Sequence, residues 1–537
     1  MYKKVLIFSF FLLSAVAQTA WFAGAVPALA QDMDSQLAWA KTYNGPGDST
    51  DVARIIITVD FPVDSVGVYV VGHSFGDGTD FDYATVKYDQ DGNQLWEARY
   101  NGPGDSADIP GAIVIENEVW VTGTSYGDGT GFDYATVAYD TGGTELWVAR
   151  YNGPANGDDR AYAVAGDTFG NIYVTGKSWT TGTDFDYATI KYDPDGDSVW
   201  VRTYNGPGDS TDVASGILVS ASGDVYVTGT SWSDSTNFDY ATIKYDSDGN
   251  EQWIRRYNGP DDDDDYVVEA DWLDWDIDPD SIVVVTGYSW GDGTDFDYAT
   301  VAYDTGGTEL WVARYNGTGD STDIPSGISV SPSGSIFITG KSWGDGTDFD
   351  YATIKYDPAG NEQWVARYNG PADSTDGGYT QGPGIDEPIS MDKYYVTGYS
   401  YDDETDFDCV TIKYDSSGNE VWVAEYDSAK ACPDHSWSLD IDASGNIYVA
   451  GTVSGFEEGT DEDFLIIKYV QFIRGDVNGD GIINSADVVY LINYLFKGGP
   501  PPEPLEAGDV NCDGVVNSAD VVYLINYLFK GGPPPGC

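Results

Sequence analysis

Short stretches in which apolar and polar residues alternate with a period of two occur along most of the chain, separated by acidic, glycine-rich turns. Val225 to Gly229 reads VYVTG and Tyr187 to Asp193 reads YATIKYD. Both stretches are rich in β-branched and aromatic residues, which is typical of β-strands that bury one or both faces. In none of these stretches do apolar residues recur at helical spacing over the length of a helix. The pattern therefore predicts an all-β structure for most of the chain.

The strand pattern repeats along the chain, and the Asp of the motif FDYAT marks each copy. Six copies are close matches and two are degraded: Asp82, Asp133, Asp186, Asp239, Asp297, Asp350, then Asp408 and Asp463. Their spacing of about 51 to 58 residues is in the range of propeller repeats. Each copy predicts three strands, and a fourth is marked by a tryptophan: Trp96, Trp147, Trp200, Trp253, Trp311, Trp364 and Trp422.

One further tryptophan strand, LAWAKTYN around Trp39, precedes every other repeat element. The last repeat has three strands but no tryptophan strand of its own. A closed β-propeller joins its ends in this way, because an N-terminal strand that completes the last blade leaves no sheet edge unpaired. The sequence predicts an eight-bladed β-propeller of four-stranded blades, closed by the Trp39 segment.

The units DYATIKYDPDG followed by Trp, and GNIYVTGKSW, resemble the bacterial β-propeller repeats called SBBP. The resemblance covers roughly residues 36 to 470. It implies a propeller fold and a secreted or surface protein, and it says little about function, since one fold supports many functions.

After Ile473 the composition changes, and two nearly identical segments follow. Each opens with an EF-hand-like loop of the form D-x-N-x-D-G, with a closing acid at the twelfth position. This spacing places oxygen atoms around Ca²⁺. The predicted calcium ligands are Asp476, Asn478, Asp480, Ile482, Asn484 and Asp487 in the first loop, and Asp509, Asn511, Asp513, Val515, Asn517 and Asp520 in the second.

Each loop is followed by a predicted helix, Ala486 to Lys497 and Ala519 to Lys530, whose apolar residues share one face. With Asp at the twelfth position and no helix before the loop, the module resembles a type I dockerin over residues 474 to 537. The resemblance implies two bound calcium ions and a cohesin domain on a scaffold or surface protein as partner. The recognition positions implied by the resemblance are Ser485, Ala486, Lys497, Ser518, Ala519 and Lys530. The near identity of the two copies implies that either could face the cohesin.

The N-terminus has the pattern of a secretory signal peptide over residues 1 to 30, with Lys3 and Lys4 followed by an apolar run that ends in Ala28-Leu29-Ala30. The mature protein is therefore expected outside the cytoplasm. The formal charge of -64, from 89 acidic and 25 basic residues, would repel nucleic acids and anionic lipids. We expect neither nucleic-acid binding nor membrane insertion.

Four cysteines, Cys409, Cys432, Cys512 and Cys537, lie in the last third of the chain. Three pairings are possible, and the sequence does not choose among them. Closure of short loops favours Cys409 with Cys432 and Cys512 with Cys537.

In four-stranded blades, the turn between the second and third strands (GDGTD) and the loop between blades (YNGPGDSTD) lie at the same end of the propeller. That end should be ringed by carboxylates and by aromatic residues. Four tryptophans are candidate carbohydrate-binding residues, although regularly placed aromatic residues in repeats more often pack between blades: Trp179, Trp232, Trp290 and Trp343. Asp77, Asp80, Asp82 and their copies could also hold structural calcium.

No catalytic constellation stands out in the sequence. The two histidines, His73 and His435, lie on different repeats, and His73 occupies a position where other repeats have Thr, Lys or Tyr. Two hypotheses remain. The first is a secreted, non-catalytic binding or structural component whose propeller binds a ligand, with polysaccharide as the ligand class. The second is a carbohydrate-active enzyme, a polysaccharide hydrolase or lyase of a cellulosome-like complex. The regularity of the repeats favours binding.

Overall fold

The computed structural model describes residues 34 to 537, except residues 48, 61 to 65, 181, 183, 274 to 280, 292, 345, 373, 383 to 393, 403 to 405, 429 to 432, 455 to 461, 480 and 537. The segment predicted as a signal peptide, together with Asp480, Cys432 and Cys537, lies outside these residues. The described chain divides into two compact units, Asp34–Gln471 and Phe472–Cys537.

The first unit contains eight sheets of four strands each, and consecutive strands within each sheet pair antiparallel. We number these blades 1 to 8 from Asp51 onward. The first strands are Asp51–Asp60, Asp108–Ile115, Asp159–Gly166, Asp212–Val219, Asp265–Trp272, Asp323–Val330, Gly377–Gly382 and Asp434–Ile441. The second strands are Val66–Phe75, Val119–Gly127, Ile172–Thr180, Val225–Ser233, Ile282–Trp290, Ile336–Trp343, Tyr394–Asp402 and Ile447–Ser454.

The third strands are Phe81–Asp89, Gly131–Tyr139, Asp184–Tyr192, Asn237–Tyr245, Phe296–Asp304, Phe349–Tyr356, Asp406–Tyr414 and Glu462–Phe472. The fourth strands are Gln94–Tyr100, Glu145–Tyr151, Ser198–Tyr204, Glu251–Tyr257, Glu309–Tyr315, Glu362–Tyr368 and Glu420–Tyr426, with Asp34–Tyr43 as the fourth strand of blade 8. The predicted eight-bladed propeller is confirmed, and so is its closure by the Trp39 strand.

Buried apolar residues form one cluster at each junction between neighbouring blades. The cluster at the closing junction joins Tyr448 and Phe464 of blade 8 to Val68 and Val86 of blade 1. At most junctions a tyrosine hydroxyl crosses as well, as when Tyr83 donates to the carbonyl of Ala135 on the next blade at 3.3 Å. The equivalent donors are Tyr134, Tyr187, Tyr240 and Tyr298. The core of the propeller therefore lies between blades.

The tryptophan of each fourth strand holds the outer part of the junction. The indole Nε1 of Trp96 donates to the carbonyl of Thr141 in the next blade at 3.1 Å, and its ring covers Gly143. Gly143 has φ of +84°, and a side chain there would overlap the indole. This explains the glycine in the turn between the third and fourth strands. Trp39 makes the same bond to the Gln90 carbonyl of blade 1, at 3.1 Å.

Neighbouring first strands contact one another around the propeller axis, and each carries a β-bulge at the same place. In blade 1 the bulge residue is Arg54, between Ala53 and Ile55. Bulges redirect side chains and are common beside functional sites. The innermost ring of the propeller therefore carries one redirected residue per blade.

The second unit contains two helices, α1 (Ser485–Lys497) and α2 (Ser518–Lys530), and a 3-10 helix (Leu505–Gly508). Both α-helices start one residue before the predicted positions because Asn484 and Asn517 cap them: each side chain accepts a bond from the amide two residues later. Val488 and Leu491 pack against Val521 and Leu524 in a shared core. The predicted apolar faces are confirmed.

The predicted disulfide between Cys409 and Cys432 is wrong. Cys409 is a buried, free thiol, because its third strand places it in the apolar junction between blades 7 and 8. Cys512 is disulfide-bonded, and both cysteines that could pair with it lie outside the described residues.

Replacing Trp39 tests the closure of the ring. Trp39→Ala should lower the free energy of unfolding of the propeller by about 3 kcal/mol, since it removes a large aromatic side chain and its hydrogen bond from a blade junction. Trp96→Ala, which affects an internal junction, should cost a similar amount. Leu37→Ala changes an exposed residue on the same strand and should have little effect. Denaturant unfolding measures all three, and a Trp39→Ala protein as stable as the wild type would contradict closure through this strand.

Candidate functional site

The acidic end of the propeller consists of the turns between second and third strands and of the loops between blades. Backbone hydrogen bonds tie the two together, as from the Gly104 amide to the Tyr126 carbonyl and from the Trp179 amide to the Asp158 carbonyl, each at 3.1 Å. The prediction that both segments lie at one end is confirmed. We call this surface the acidic end.

A buried aspartate at the start of each first strand holds each loop. In blade 2, Asp108 accepts hydrogen bonds from the amides of Gly102 at 2.5 Å and Tyr126 at 3.2 Å. The Asp108 side chain is fully buried. Burial raises the pKa of this carboxyl to about 6, and the neighbouring Asp82 carboxylate adds to the effect. Burial also raises the pKa to about 6 at Asp212, Asp265 and Asp434.

The Asp of each FDYAT motif has an arginine partner in most blades. The guanidinium of Arg99 lies 3.0 Å from Asp82 and also donates to the hydroxyls of Ser74 and of Tyr43 on the preceding blade. The same arrangement joins Asp133 to Arg150, Asp239 to Arg256, Asp297 to Arg314 and Asp350 to Arg367. In these blades the motif aspartate stabilises a blade junction through an arginine. Within the described part of the chain, no group of three His, Cys, Asp or Glu side chains is placed to hold a metal.

The four candidate tryptophans lie at the acidic end, each packed against the phenylalanine of its own blade. Trp179 contacts Phe185 edge to face at 5.0 Å, and the same geometry joins Trp232 to Phe238, Trp290 to Phe296 and Trp343 to Phe349. These contacts lie within a blade, whereas the alternative was packing between blades. Trp179 and Tyr126, which occupies the equivalent position in blade 2, are 37% and 38% exposed to solvent.

In the second unit, the predicted calcium ligands lie on two tight loops that each end on a helix. Asp487 and Asp520 are fully buried, and each accepts backbone hydrogen bonds from its own loop, such as those from Val477 and Asn511. Asp476 and Asp509 accept bonds from the glycine amides of Gly481 and Gly514 at 2.7 and 3.0 Å. Gly481 has φ of +82°, which explains the glycine at this position of the loop.

The residue types and spacing of these loops fit calcium, although the described carboxylates are not gathered into a group of three in this structure. All proposed ligand atoms are oxygens, the preference of a hard cation. Asp487 is buried close to Asp476: burial raises the pKa of Asp487, and the like charge of Asp476 raises it further. A divalent cation would relieve both effects. Asp476, Asn478, Asp480, Ile482, Asn484 and Asp487 would hold one ion, and Asp509, Asn511, Asp513, Val515, Asn517 and Asp520 the other.

The six predicted recognition residues are exposed at the two ends of the helices: Ser485, Ala486 and Lys497 on α1, and Ser518, Ala519 and Lys530 on α2. Between them the structure exposes apolar side chains that the sequence reasoning missed. Val489 and Phe496 are 55% and 65% exposed, and Val522 and Phe529 are 56% and 64% exposed. Ala486, Val489 and Phe496 follow the spacing i, i+3, i+10, so they share one helix face. We call each set an exposed stripe.

Comparison with known protein families finds one match in each unit. A model described as "Dockerin type I domain" matches residues 474–529, and one described as "Beta-propeller repeat" (SBBP) matches residues 310–347. The chain therefore contains a type I dockerin domain, the kind of domain that docks onto cohesins and binds calcium, and an SBBP propeller repeat. No curated protein matches the sequence. None of the described helices is long and apolar enough to cross a bilayer.

Three solved structures resemble this chain only distantly. They are a eukaryotic initiation factor (9% identity, TM-score 0.37, covering 79% of this chain and 96% of that one), a puromycin hydrolase (13%, 0.38, 72% and 57%) and a polysaccharide lyase, the PL25 ulvan lyase (13%, 0.38, 66% and 90%). Similarities at these TM-scores support no conclusion about function.

The buried aspartates predict that mild acid stabilises the propeller. A carboxyl with a higher pKa in the folded chain than in the unfolded chain stabilises the fold when protonated, and this contribution is lost as the pH rises through about 6. The melting temperature of the propeller should therefore rise when the pH falls from about 7.5 to about 5.

Loss of net negative charge acts in the same direction, so variants must separate the two effects. Replacing Asp108, Asp212, Asp265 and Asp434 together with Asn should flatten the pH dependence. Four exposed turn aspartates replaced in the same way should leave the pH dependence nearly unchanged. Equal pH dependence in the two variants would assign the effect to net charge and contradict the role of the buried carboxyls.

Removal of calcium should unfold the second unit, because its buried carboxylates would then repel one another. In the described chain the α-helices lie in this unit, so helical circular dichroism of the whole protein reports on it. We expect the helical signal to fall in chelator and to return with added calcium, and calorimetric titration to give two ions per chain. Asp520→Ala should lose one of them.

Asp77→Ala, in an exposed propeller turn, is the matched control for calcium binding. It should leave the number of bound ions unchanged. A lower number in this variant would instead support a calcium site in the propeller turns. A helical signal that resists chelation would contradict calcium-dependent folding.

Proposed function

We propose that this protein is a secreted binding component that docks through its calcium-loaded dockerin onto a cohesin domain of a scaffold or cell surface. Its propeller serves there as a ligand-binding platform, with carbohydrate as the ligand class. The dockerin match supports the docking role, and the pair of exposed stripes carries it.

The exposed stripes have the character of a partner surface. In this strongly acidic chain, each dockerin helix leaves two large apolar side chains in solvent, although the helix pair already has a buried core of its own. Exposed apolar residues aligned on one helix face are typical of interaction sites. Lys497 and Lys530 follow the stripes at the helix C-termini and can pair with acidic groups on a partner.

The stripes occur twice because the segments of α1 and α2 have the same sequence, SADVVYLINYLFK. Each helix also has the same capping box and a glycine at its end in the left-handed conformation, Gly498 and Gly531. The two helix faces therefore present the same side chains in the same order. Either face offers a cohesin an equivalent surface.

Calcium acts in this proposal by fixing the start of each helix. Asp487 and Asp520, the last ligands of the loops, are also the third residues of α1 and α2 and complete their capping boxes. Binding of an ion to a loop thereby orders Ser485, Ala486 and their equivalents. In this proposal, calcium binding to the loops and recognition through the exposed stripes are therefore coupled.

Exposed aromatic rings among carboxylates support the platform role. Trp179 and Tyr126 belong to the ring of aromatic residues at the acidic end, beside Asp and Thr side chains that can bond sugar hydroxyls. Flat aromatic faces pack against the apolar faces of pyranose rings. A glycan array with the whole protein tests this role: binding of saccharides without release of shorter products supports a platform, and released oligosaccharides would identify an enzyme.

Substitutions in the exposed stripes test docking against a panel of purified type I cohesins. Val489→Ser with Phe496→Ser should leave binding largely intact if α2 can replace α1, and the same holds for Val522→Ser with Phe529→Ser. The four substitutions together should weaken binding at least about 30-fold, since each stripe contains hot-spot-sized apolar residues. Isothermal calorimetry measures the affinities.

Phe169→Ser provides the matched control, because Phe169 is 73% exposed but lies in a propeller turn. Its affinity for cohesin should equal that of the wild type. Full affinity in the four-site variant, with normal calcium binding, would exclude the stripes as the docking surface.

A further inference from the structure

The repeats differ in chemistry mainly at positions around the axis at the acidic end. One is the bulge residue of the first strand, which is Arg54, Gly111, Tyr162, Ser215, Val268 and Ser326 in blades 1 to 6 and Trp437 in blade 8. Another lies between the Gly and Ser of the second strand, as at His73 and Lys177. Positions that pack the blades stay nearly constant. The variation at these inner positions indicates that their side chains are not needed for packing between blades.

Closure of the ring brings together, at the junction of blades 8 and 1, several residues that differ from those at the same positions of the other repeats: Arg54, His73, His435 and Trp437. The amide of Ile56 donates to the Ser438 hydroxyl at 3.2 Å, and the amide of Thr58 donates to Asp440 at 2.6 Å. In blades 2 and 3 the bulge residue Gly111 lies against Ala161 and Tyr162, the bulge residue of the next blade. The equivalent bulge residues of blades 8 and 1 are Trp437 and Arg54, so the repeat geometry places these two side by side. Both histidines of the chain border this junction, because His73 is the strand partner next to Arg54.

Arg54 lacks the carboxylate partner that most buried cations have. Part of its side chain is buried against the protein while the residue keeps solvent exposure beside the axis, and its hydrogen bond runs from Nε to Nδ1 of His73 at 3.3 Å. Among the described residues no carboxylate forms an ion pair with it, in a chain with 89 acidic and 25 basic residues. Burial lowers the pKa of Arg54, and no acidic neighbour offsets this. The outer nitrogens of the guanidinium remain available to an anion.

His73 fixes the direction of this guanidinium. The imidazole is buried and packs edge to face on Phe81 at 4.8 Å. Burial, together with the positive charge of Arg54, lowers the pKa of His73 to about 4. The ring is therefore neutral at physiological pH, so that Nδ1 can accept the Nε proton. His73 is a positioning residue for Arg54.

A flat aromatic surface lies beside Arg54. The rings of His435 and Trp437 stack with centroids 5.6 Å apart and planes at 14°. Trp437 is half-buried and its Nε1 donates to the hydroxyl of Thr452 at 3.0 Å, which fixes the ring. His435 is held in turn by Tyr399 and Phe407 of blade 7. The surface is rigid, and its polar neighbour is a cation.

We propose that the axial junction of blades 8 and 1 binds an acidic sugar, with the carboxylate of a uronic acid residue on Arg54 and the sugar ring beside Trp437. The planar guanidinium matches a carboxylate in a two-bond geometry. The acidic turns around the site disfavour ligands of high charge density such as polyphosphates. A sugar with one carboxylate per ring fits both conditions. This inference rests on the proposed role of the propeller as a carbohydrate platform.

The experiment compares galacturonate and glucuronate oligosaccharides with neutral gluco-oligosaccharides of equal length, by calorimetric titration into the whole protein. We expect the wild type to prefer the acidic oligosaccharides, and Arg54→Ala to weaken their binding at least about tenfold while leaving neutral ligands unchanged. Arg54→Lys should recover part of the loss. His73→Phe should weaken binding less than Arg54→Ala, since it removes only the positioning bond.

Arg160→Ala is the matched control, because Arg160 is also an axial arginine but already pairs with Asp158 at 3.4 Å. It should bind like the wild type, and thermal melting checks that every variant folds.

Equal affinity of wild type and Arg54→Ala for uronates would overturn the inference, as would binding of free acetate with the same affinity as the oligosaccharides. Binding of neutral saccharides without any preference for uronates would refute this site and leave the platform standing. A failure of all saccharides to bind would refute both, while docking to cohesin is measured separately.

Discussion

Each blade of the propeller buries both faces of its sheet against its two neighbours, so the first unit is stable only as a closed ring. A single four-stranded sheet with two apolar faces cannot exist alone in water, and an open ring would expose the faces at its two ends. The chain solves this by placing its N-terminal strand in the last blade. Trp39 then makes to blade 1 the same contact that Trp96 makes to blade 2. The repeated junction and the closing junction are the same physical interaction.

The distribution of charge follows from this architecture. Aspartates that fix loops or pair with arginines are buried, whereas other acidic residues, such as Asp77 and Asp128, are exposed in turns. Asp82 stabilises a junction only because Arg99 reaches it together with Ser74 and Tyr43. Blades 3, 7 and 8 have Thr203, Glu425 and Thr42 at the arginine position, so this link is not uniform around the ring. A large negative charge is therefore compatible with a folded propeller, because the carboxylates with structural roles are partnered.

The two units have different roles in the proposed function. The dockerin unit is a small pair of helices whose order depends on buried carboxylates, and it leaves two apolar stripes in solvent. The propeller is a large rigid ring whose chemical variety is concentrated near its axis. The proposed function needs both: a reversible, calcium-dependent attachment and a surface that the attachment presents. The uronate site at Arg54 would give that surface a specific ligand.

The sequence by itself determined the number of blades, the closing strand, the two loops of the dockerin unit and the helix faces that pack together. Each of these depends on local patterns, namely a period of two, a repeated tryptophan, a ligand spacing and a helical period, which short segments such as Tyr187 to Asp193 carry in full. The sequence did not reveal the arginine that pairs with most of the motif aspartates, the free Cys409 or the exposed Val489 and Phe496. These depend on which strand or helix covers a side chain, and residues distant in the sequence decide that. His73 and His435 are the clearest case. In the sequence they are unrelated variants on different repeats, and only closure of the ring brings them to one junction.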